Sequence, residues 1–184
     1  MFENIRADMQ RYEPAGSCYR SLGFWVTATY RFGHWANGLS QPRLRRALCT
    51  LHTVLAVPWS FVKGADLPRE AQIGPGLLLP HPQNILIPPG SVLGARCTVF
   101  HDVTLVHGST TGVPRLGEDV VLFAGAKVLG GVAIGNAVEI GANAVVVRDV
   151  DSGSVVPSPL VRAIPSATVT SLRDGVTRPR ERQR

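Results

Sequence analysis

The chain has 184 residues, 45% of them hydrophobic, with 19 Lys+Arg against 13 Asp+Glu for a net charge of +6. That length accommodates one domain with an appendage, and the apolar content is ample for a core. A basic excess of this kind suits nucleic acid, an anionic membrane or a phosphorylated ligand; with no aromatic-interleaved basic platform in the chain, no nucleic-acid partner is expected. Cys18, Cys49 and Cys97 form no CxxC and no paired spacing, which predicts buried thiols in a reducing cytoplasm. Asn4 to Glu13 is polar and charged, so no signal peptide is expected. The apolar run from Leu48 to Val62 contains His52 and Pro58 and is too interrupted to span a bilayer.

Residues 1–62 read as a helical segment. Phe2, Ile5 and Met9 share one face of a first short helix that Pro14 ends. From Phe24 to Leu39, Trp25, Ala28, Thr29, Phe32, Trp35 and Ala36 recur at three- and four-residue steps and predict a second helix, punctuated by Gly38 and Pro42. Arg43 to Val57 predicts a third, with Leu44, Leu48, Leu51 and Leu55 on one side and Pro58 ending or kinking it. His34 and His52 fall inside these helices and read as packing or capping residues.

Residues 63–165 follow another rule. Leu67, Ile73, Leu79 and Ile85 fall six residues apart; the frame slips by two, and Ile87, Leu93, Val99 and Leu105 resume it. Leu116, Leu122, Val128, Ile134, Ile140 and Val146 keep the step without a break, and Gly117, Gly135 and Gly141 each follow an aliphatic. Neither a helix nor a simple strand demands an aliphatic at every sixth position. A triangular coil of short strands does: each face takes six residues, one aliphatic points to the axis, and the next turn stacks about 4.8 Å above. Ala124, Ala126, Ala142 and Ala144 fill the remaining inward slots. His107 to Pro114 has the Gly/Ser/Thr/Pro content of a loop thrown out of the coil, where sites are usually built. Val155 to Pro165 reads as a closing strand, and residues 166–184 as a basic tail.

Three of the five histidines, His81, His101 and His107, fall in the coil, and histidine is suited to take a proton from a hydroxyl near neutral pH. His81 lies at a corner, in Leu79-Pro-His-Pro82. Asp66 precedes it by fifteen residues, close to one turn, so stacking is expected to bring the two within hydrogen-bonding reach. A carboxylate there would fix the imidazole tautomer. The three histidines have no tight ligand spacing, and no metal site is expected.

These residues also carry a family likeness that covers nearly the whole chain. Ile5-Arg-Ala-Asp-Met-Gln10, Glu13-Pro-Ala15, Tyr30-Arg-Phe-Gly-His-Trp35, Ala71-Gln-Ile-Gly-Pro-Gly76, Phe123-Ala-Gly-Ala-Lys-Val-Leu-Gly130 and Ile140-Gly-Ala-Asn-Ala-Val-Val-Val147 resemble segments of the serine acetyltransferases, within the hexapeptide-repeat acyltransferases. The resemblance implies a mainly β fold, a left-handed parallel β-helix behind a small helical segment, assembled as a homotrimer. It implies acetyl transfer from acetyl-CoA to a small hydroxylated acceptor, with His81 as general base and Asp66 orienting it. Glu13 and His107 would contact the acceptor. Acetyl-CoA would lie in a groove between subunits, along Ala124 and Ala142, with Gly108 allowing close backbone approach and Lys127, Arg148 and Arg162 facing its phosphates.

The departures are specific. The family's Arg-His pair before a Pro-Lys-Ile segment aligns with Gly112 and Val113, and an aspartate before the catalytic histidine is Pro80. A sugar, a polysaccharide or a secondary metabolite is therefore an alternative acceptor to serine, and a non-catalytic scaffold is a further alternative. The family's sulfhydrylase partner grips a C-terminal isoleucine; this chain ends Gln183-Arg184, and that partnership is not expected.

Overall fold

A computed structural model describes residues 2–12, 18–107 and 112–159. Three helices precede the coil: α1 (Phe2–Tyr12), α2 (Leu22–Asn37) and α3 (Pro42–Lys63). Eleven short strands follow, all paired in parallel on three faces. One face stacks β1 (Gln72–Ile73), β2 (Val92–Leu93), β5 (Arg115–Leu116) and β8 (Ala133–Ile134). A second stacks β3 (Thr98–Val99), β6 (Val121–Leu122), β9 (Glu139–Ile140) and β11 (Val155–Val156); the third stacks β4 (Thr104–Val106), β7 (Lys127–Leu129) and β10 (Val145–Val146). This is a left-handed β-helix.

The six-residue aliphatics form its axis. Leu116, Leu122, Val128, Ile134, Ile140 and Val146 are all buried, as are Leu67, Ile73, Leu79 and Ile85 before the slip and Ile87, Leu93, Val99 and Leu105 after it. Ala126 and Ala144 fill inward slots as expected, but Ala124 and Ala142 sit in corner turns and are half-exposed. The turns are unequal. Gln72 pairs with Val92, twenty residues on, and Val92 with Arg115, twenty-three on. Arg115 then pairs with Ala133 at eighteen, and Val155 returns to Glu139 at sixteen. The surplus residues fall at the corner holding His81 in one turn and between Val106 and Arg115 in the next.

A solenoid exposes an unpaired strand edge at each end, a liability that must be covered. Here the helical segment hydrogen-bonds the edge of the first turn. Asp8 Oδ1 accepts from the backbone N–H of Gly76 at 2.8 Å and of Leu77 at 2.9 Å. The Tyr12 hydroxyl accepts from Leu79 N–H at 2.9 Å, and the Tyr30 hydroxyl donates to Ala71 O at 2.8 Å. Arg31 donates to the carbonyls of Ile73 and Gly74 and holds the Asp8 carboxylate at 2.8 Å.

This polar contact decides which face of α2 is buried. The buried face of α2 is Phe24, Val26, Thr27, Tyr30, Arg31 and Ala36, with Gly23 and Gly33, whereas Trp25 and Trp35 are exposed. The side that meets the coil must carry hydrogen-bonding groups for the strand edge, so the most apolar stripe is not the buried one. On α3 the packing side carries His52 and half-buried Ala56 and Trp59; Leu44, Leu51 and Leu55 face solvent and Leu48 is half-buried. The His52 ring fills the space left by Gly33, where a Cβ would come within 2.2 Å of it. The helix runs through Pro58 to a left-handed cap at Gly64. Cys18 and Cys97 are buried and Cys49 half-buried, all three as free thiols; burial pushes the Cys97 thiol up to about 11.

Candidate active site

The corner expelled between Leu79 and Ile85 presents His81 on the surface of the coil. Its backbone carbonyl accepts from Gln83 N–H at 2.8 Å, and the Gln83 carbonyl accepts from Asp102 N–H at 2.9 Å. The first turn advances by twenty residues, as Leu78 bridging to Thr98 shows. The residue stacked on His81 is therefore His101, and the two rings lie 6.0 Å apart, edge to face. His101 is half-buried, and its Nδ1 is enclosed with no hydrogen-bond partner among the described residues. Phe100 and Phe123 stack beside it at 5.5 Å, and Phe123 leads to a groove of about 350 Å³ that Gly141, Ala142 and Val156 also line.

Asp66 opens the first turn of the coil. Its backbone bridges to Leu86, and Asp66 N–H donates to Ile85 O at 2.8 Å. The turn takes twenty residues here, so the residue stacked on Asp66 is Leu86. Among the described residues no hydrogen bond joins the Asp66 carboxylate to His81. Asp66 instead lines a cavity of about 380 Å³ between α2, α3 and the first turn, with His52, Arg69 and Glu70. Burial, and secondarily the nearby Glu70, pushes the Asp66 carboxyl above its ordinary value. His52 is pushed below the ordinary histidine value by burial and then by Arg69.

The other candidates are dispersed. His107 is exposed at the end of β4, and Lys127 is exposed on β7 with its Nζ donating to Gly125 O at 3.1 Å. Ala124 and Ala142 lie one turn apart on the same corner, linked through Asn143 N–H to Ala124 O at 2.9 Å. Arg148 is exposed. Glu13, Gly108 and Arg162 lie outside the described residues. Gly112 has φ +144°, and a Cβ there would meet Gly131 Cα at 2.9 Å. Among the described residues no group of three His, Cys, Asp or Glu side chains is placed to hold a metal. Sequence reasoning gave no role to Asp8, Tyr12, Tyr30 or Arg31, the groups that anchor the turn leading into His81. Asp8, Tyr30 and Arg31 nevertheless lie within two segments, Ile5–Gln10 and Tyr30–Trp35, that carry the family likeness.

A coil of hexapeptide turns with an exposed histidine at an expelled corner defines an acyltransferase-type β-helix. Residues 114–148 match the family model described as bacterial transferase hexapeptide (six repeats). The chain is 34% identical over 163 residues to a serine acetyltransferase of Mycobacterium tuberculosis, covering 83% of this chain and 67% of that protein. It superimposes with a TM-score of 0.68 on the serine acetyltransferase of Neisseria gonorrhoeae in complex with serine, 30% identical, covering 89% of this chain and 67% of the other. A TM-score of 0.69 relates it to the Brucella abortus serine acetyltransferase in complex with coenzyme A, 25% identical, covering 86% and 65%. The chain belongs to the serine acetyltransferase family of hexapeptide-repeat proteins. It spans 44 to 67% of the length of the family members compared.

Proposed function

We propose that the chain is an acetyl-CoA-dependent O-acetyltransferase of a small hydroxylated acceptor, with serine as the first candidate. The observation that carries this reading is His81, exposed at a rigid corner of the coil with the His101 ring stacked against it. His81 takes the acceptor's hydroxyl proton, and the resulting alkoxide attacks the thioester carbonyl. Backbone N–H groups stabilise the tetrahedral oxyanion. The C–S bond then breaks, and the coenzyme A thiolate recovers the proton from the imidazolium. Asp66 is the proposed orienting carboxylate on the strength of the family likeness. Its lack of a bond to His81 is compatible with that role, because such bonds often tighten only when substrate is present.

The groove beside Ala142 is the proposed path of the pantetheine arm, with Ala124 small enough to keep it open; Lys127 and Arg148 are the proposed phosphate contacts, and His107 an acceptor contact. A homotrimer would complete the groove from a neighbouring subunit. The free thiols support a cytoplasmic location, and no helix among the described residues is long and apolar enough to cross a membrane.

A second reading is favoured by one observation. Gly112 and Val113 supply no guanidinium where the family places one, and burying an amino-acid carboxylate without a charge partner is costly. A neutral hydroxylated acceptor, such as a sugar or secondary metabolite, needs no such charge partner. Release of free thiol from acetyl-CoA, measured against L-serine and a panel of neutral polyols, tests both. Turnover of serine at a kcat/KM of about 10⁴ M⁻¹s⁻¹ or above supports the first. Turnover of a polyol alone supports the second, and turnover of neither, in trimeric protein that binds coenzyme A, refutes enzymatic O-acetylation.

A further inference from the structure

The site above leaves the outer face of α3 unexplained. Leu44, Ala47, Leu51, Val54, Pro58 and Phe61 step by three and four along the helix and therefore share one side. All six are exposed, Val54 at 63% and Phe61 at 86%, while His52 on the opposite side packs into the fold. Leu55 and Val57 widen this exposed stripe. An uninterrupted apolar ridge of this size on a water-soluble surface marks a docking surface.

Charge selects the occupant. From Pro42 to Lys63 the helix carries Arg43, Arg45, Arg46 and Lys63 and not one acidic residue. A second copy of α3 laid parallel would oppose the arginine cluster to itself, and laid antiparallel would oppose it to Lys63; neither brings an anion. Beside the ridge, at its N-terminal half, a polar cleft of about 520 Å³ is lined by Asn37, Arg45, Arg46, Thr50, Thr53 and Arg69. Glu70 lies 3.0 Å from Arg69 Nε and offsets part of that charge, leaving Arg45 and Arg46 without acidic partners among the described residues. A convex apolar ridge flanked by a cationic, hydroxyl-bearing cleft matches one kind of surface: acyl chains meeting the ridge, and headgroup phosphate meeting the cleft.

We infer that α3 docks the protein on an anionic phospholipid surface, its Leu44–Phe61 ridge entering the interface and its Arg45–Arg46 cleft receiving a lipid phosphate. The helix lies in the plane of the interface and does not span it. Co-sedimentation of the full chain with vesicles tests this. Binding is expected with mixed phosphatidylcholine and phosphatidylserine vesicles and not with phosphatidylcholine alone, and it falls as salt is raised. Each arginine near an anionic surface contributes a factor of about five, so Arg45→Gln with Arg46→Gln lowers partitioning roughly twenty- to thirtyfold. Phe61→Ser, at a position 86% exposed on the rim of the Asp66 cavity, lowers it without changing the salt dependence. Three results overturn the inference. One is equal binding to neutral and mixed vesicles. Another is release from mixed vesicles by inorganic phosphate at the concentration of the lipid phosphate, which makes the cleft a site for the free anion. The third is no vesicle binding, whether or not the protein shows self-association or partner-protein binding that Phe61→Ser abolishes. Should either variant fail to fold by circular dichroism, the lipid and salt dependence of the unaltered protein still decides.

Discussion

The carboxylate of Asp8 and the guanidinium of Arg31, both buried, meet at 2.8 Å where the helical segment joins the first turn of the coil. Neither group is satisfied by the other alone. Asp8 also accepts two backbone N–H bonds from Gly76 and Leu77, and Arg31 also donates to the carbonyls of Ile73 and Gly74. Removing one member of such a pair leaves the other charge buried and unpaired, at a cost of about 3–5 kcal/mol. Asp8→Asn and Arg31→Met are each expected to destabilise by about that amount in urea unfolding. A loss below about 1 kcal/mol for both would show that water replaces the pair readily.

Gly23 brings α2 against the coil at the step before His81. A Cβ there would lie 2.0 Å from the carbonyl oxygen of Leu79, a backbone atom that cannot swing aside. Gly23→Ala is expected to lower stability by about 1–3 kcal/mol through overpacking. It is also expected to lower acetyl transfer more than coenzyme A binding, because Leu79 sets the position of Pro80 and His81. An alanine variant with unchanged melting temperature and turnover would contradict this close contact.

His81→Ala is expected to reduce acetyl transfer by about 10²–10⁴-fold while isothermal titration still detects coenzyme A binding. His101→Gln, which keeps a polar side chain against the His81 ring, is expected to reduce turnover less and to move the pH profile. Full turnover in the His81 variant would transfer the base role to His101, the ring next to it.

Asp66 carries a pH signature. Its carboxyl is pushed up by burial and then by Glu70, so between the unfolded and folded pKa values the native state binds more protons than the unfolded chain. Stability from this group is present at the acid end and is lost as pH rises through the folded pKa. Relative to Asp66→Asn, the unaltered protein is therefore expected to lose stability as pH rises above the ordinary aspartate range. Denaturation series at several pH values check it, and the opposite slope would mean that a cation, His81 included, holds Asp66 ionised.

Gly112 constrains any attempt to rebuild an amino-acid carboxylate site. At φ +144° an L side chain is strained, and its Cβ would press on Gly131. Gly112→Arg with Val113→His is thus expected to lower the melting temperature and to leave kcat/KM for serine little improved. A gain of tenfold or more in serine kcat/KM would show that the loop yields and that this pair alone sets the acceptor.

The coil was legible from the sequence because its cause is local. Each face must send one aliphatic to the axis, so Leu116 through Val146 announce the repeat at every sixth position, and the burial of all six follows from the same pleat that spaces them. The existence of α1, α2 and α3 was legible for the same reason, from Pro14, Gly38 and the three- and four-residue steps between. What the sequence left open was every decision made between elements. Which face of α2 is buried depended on the open strand edge beneath it, whose N–H and C=O groups called for Tyr30 and Arg31 and turned Trp25 and Trp35 outward. Which residue stacks on His81 depended on how many residues the first turn spends at its corners: at twenty it is His101, where eighteen would give Val99. Periodicity reports the spacing within a turn; only the closed coil sets the register between turns, because that register is the sum of corners whose lengths no repeat dictates.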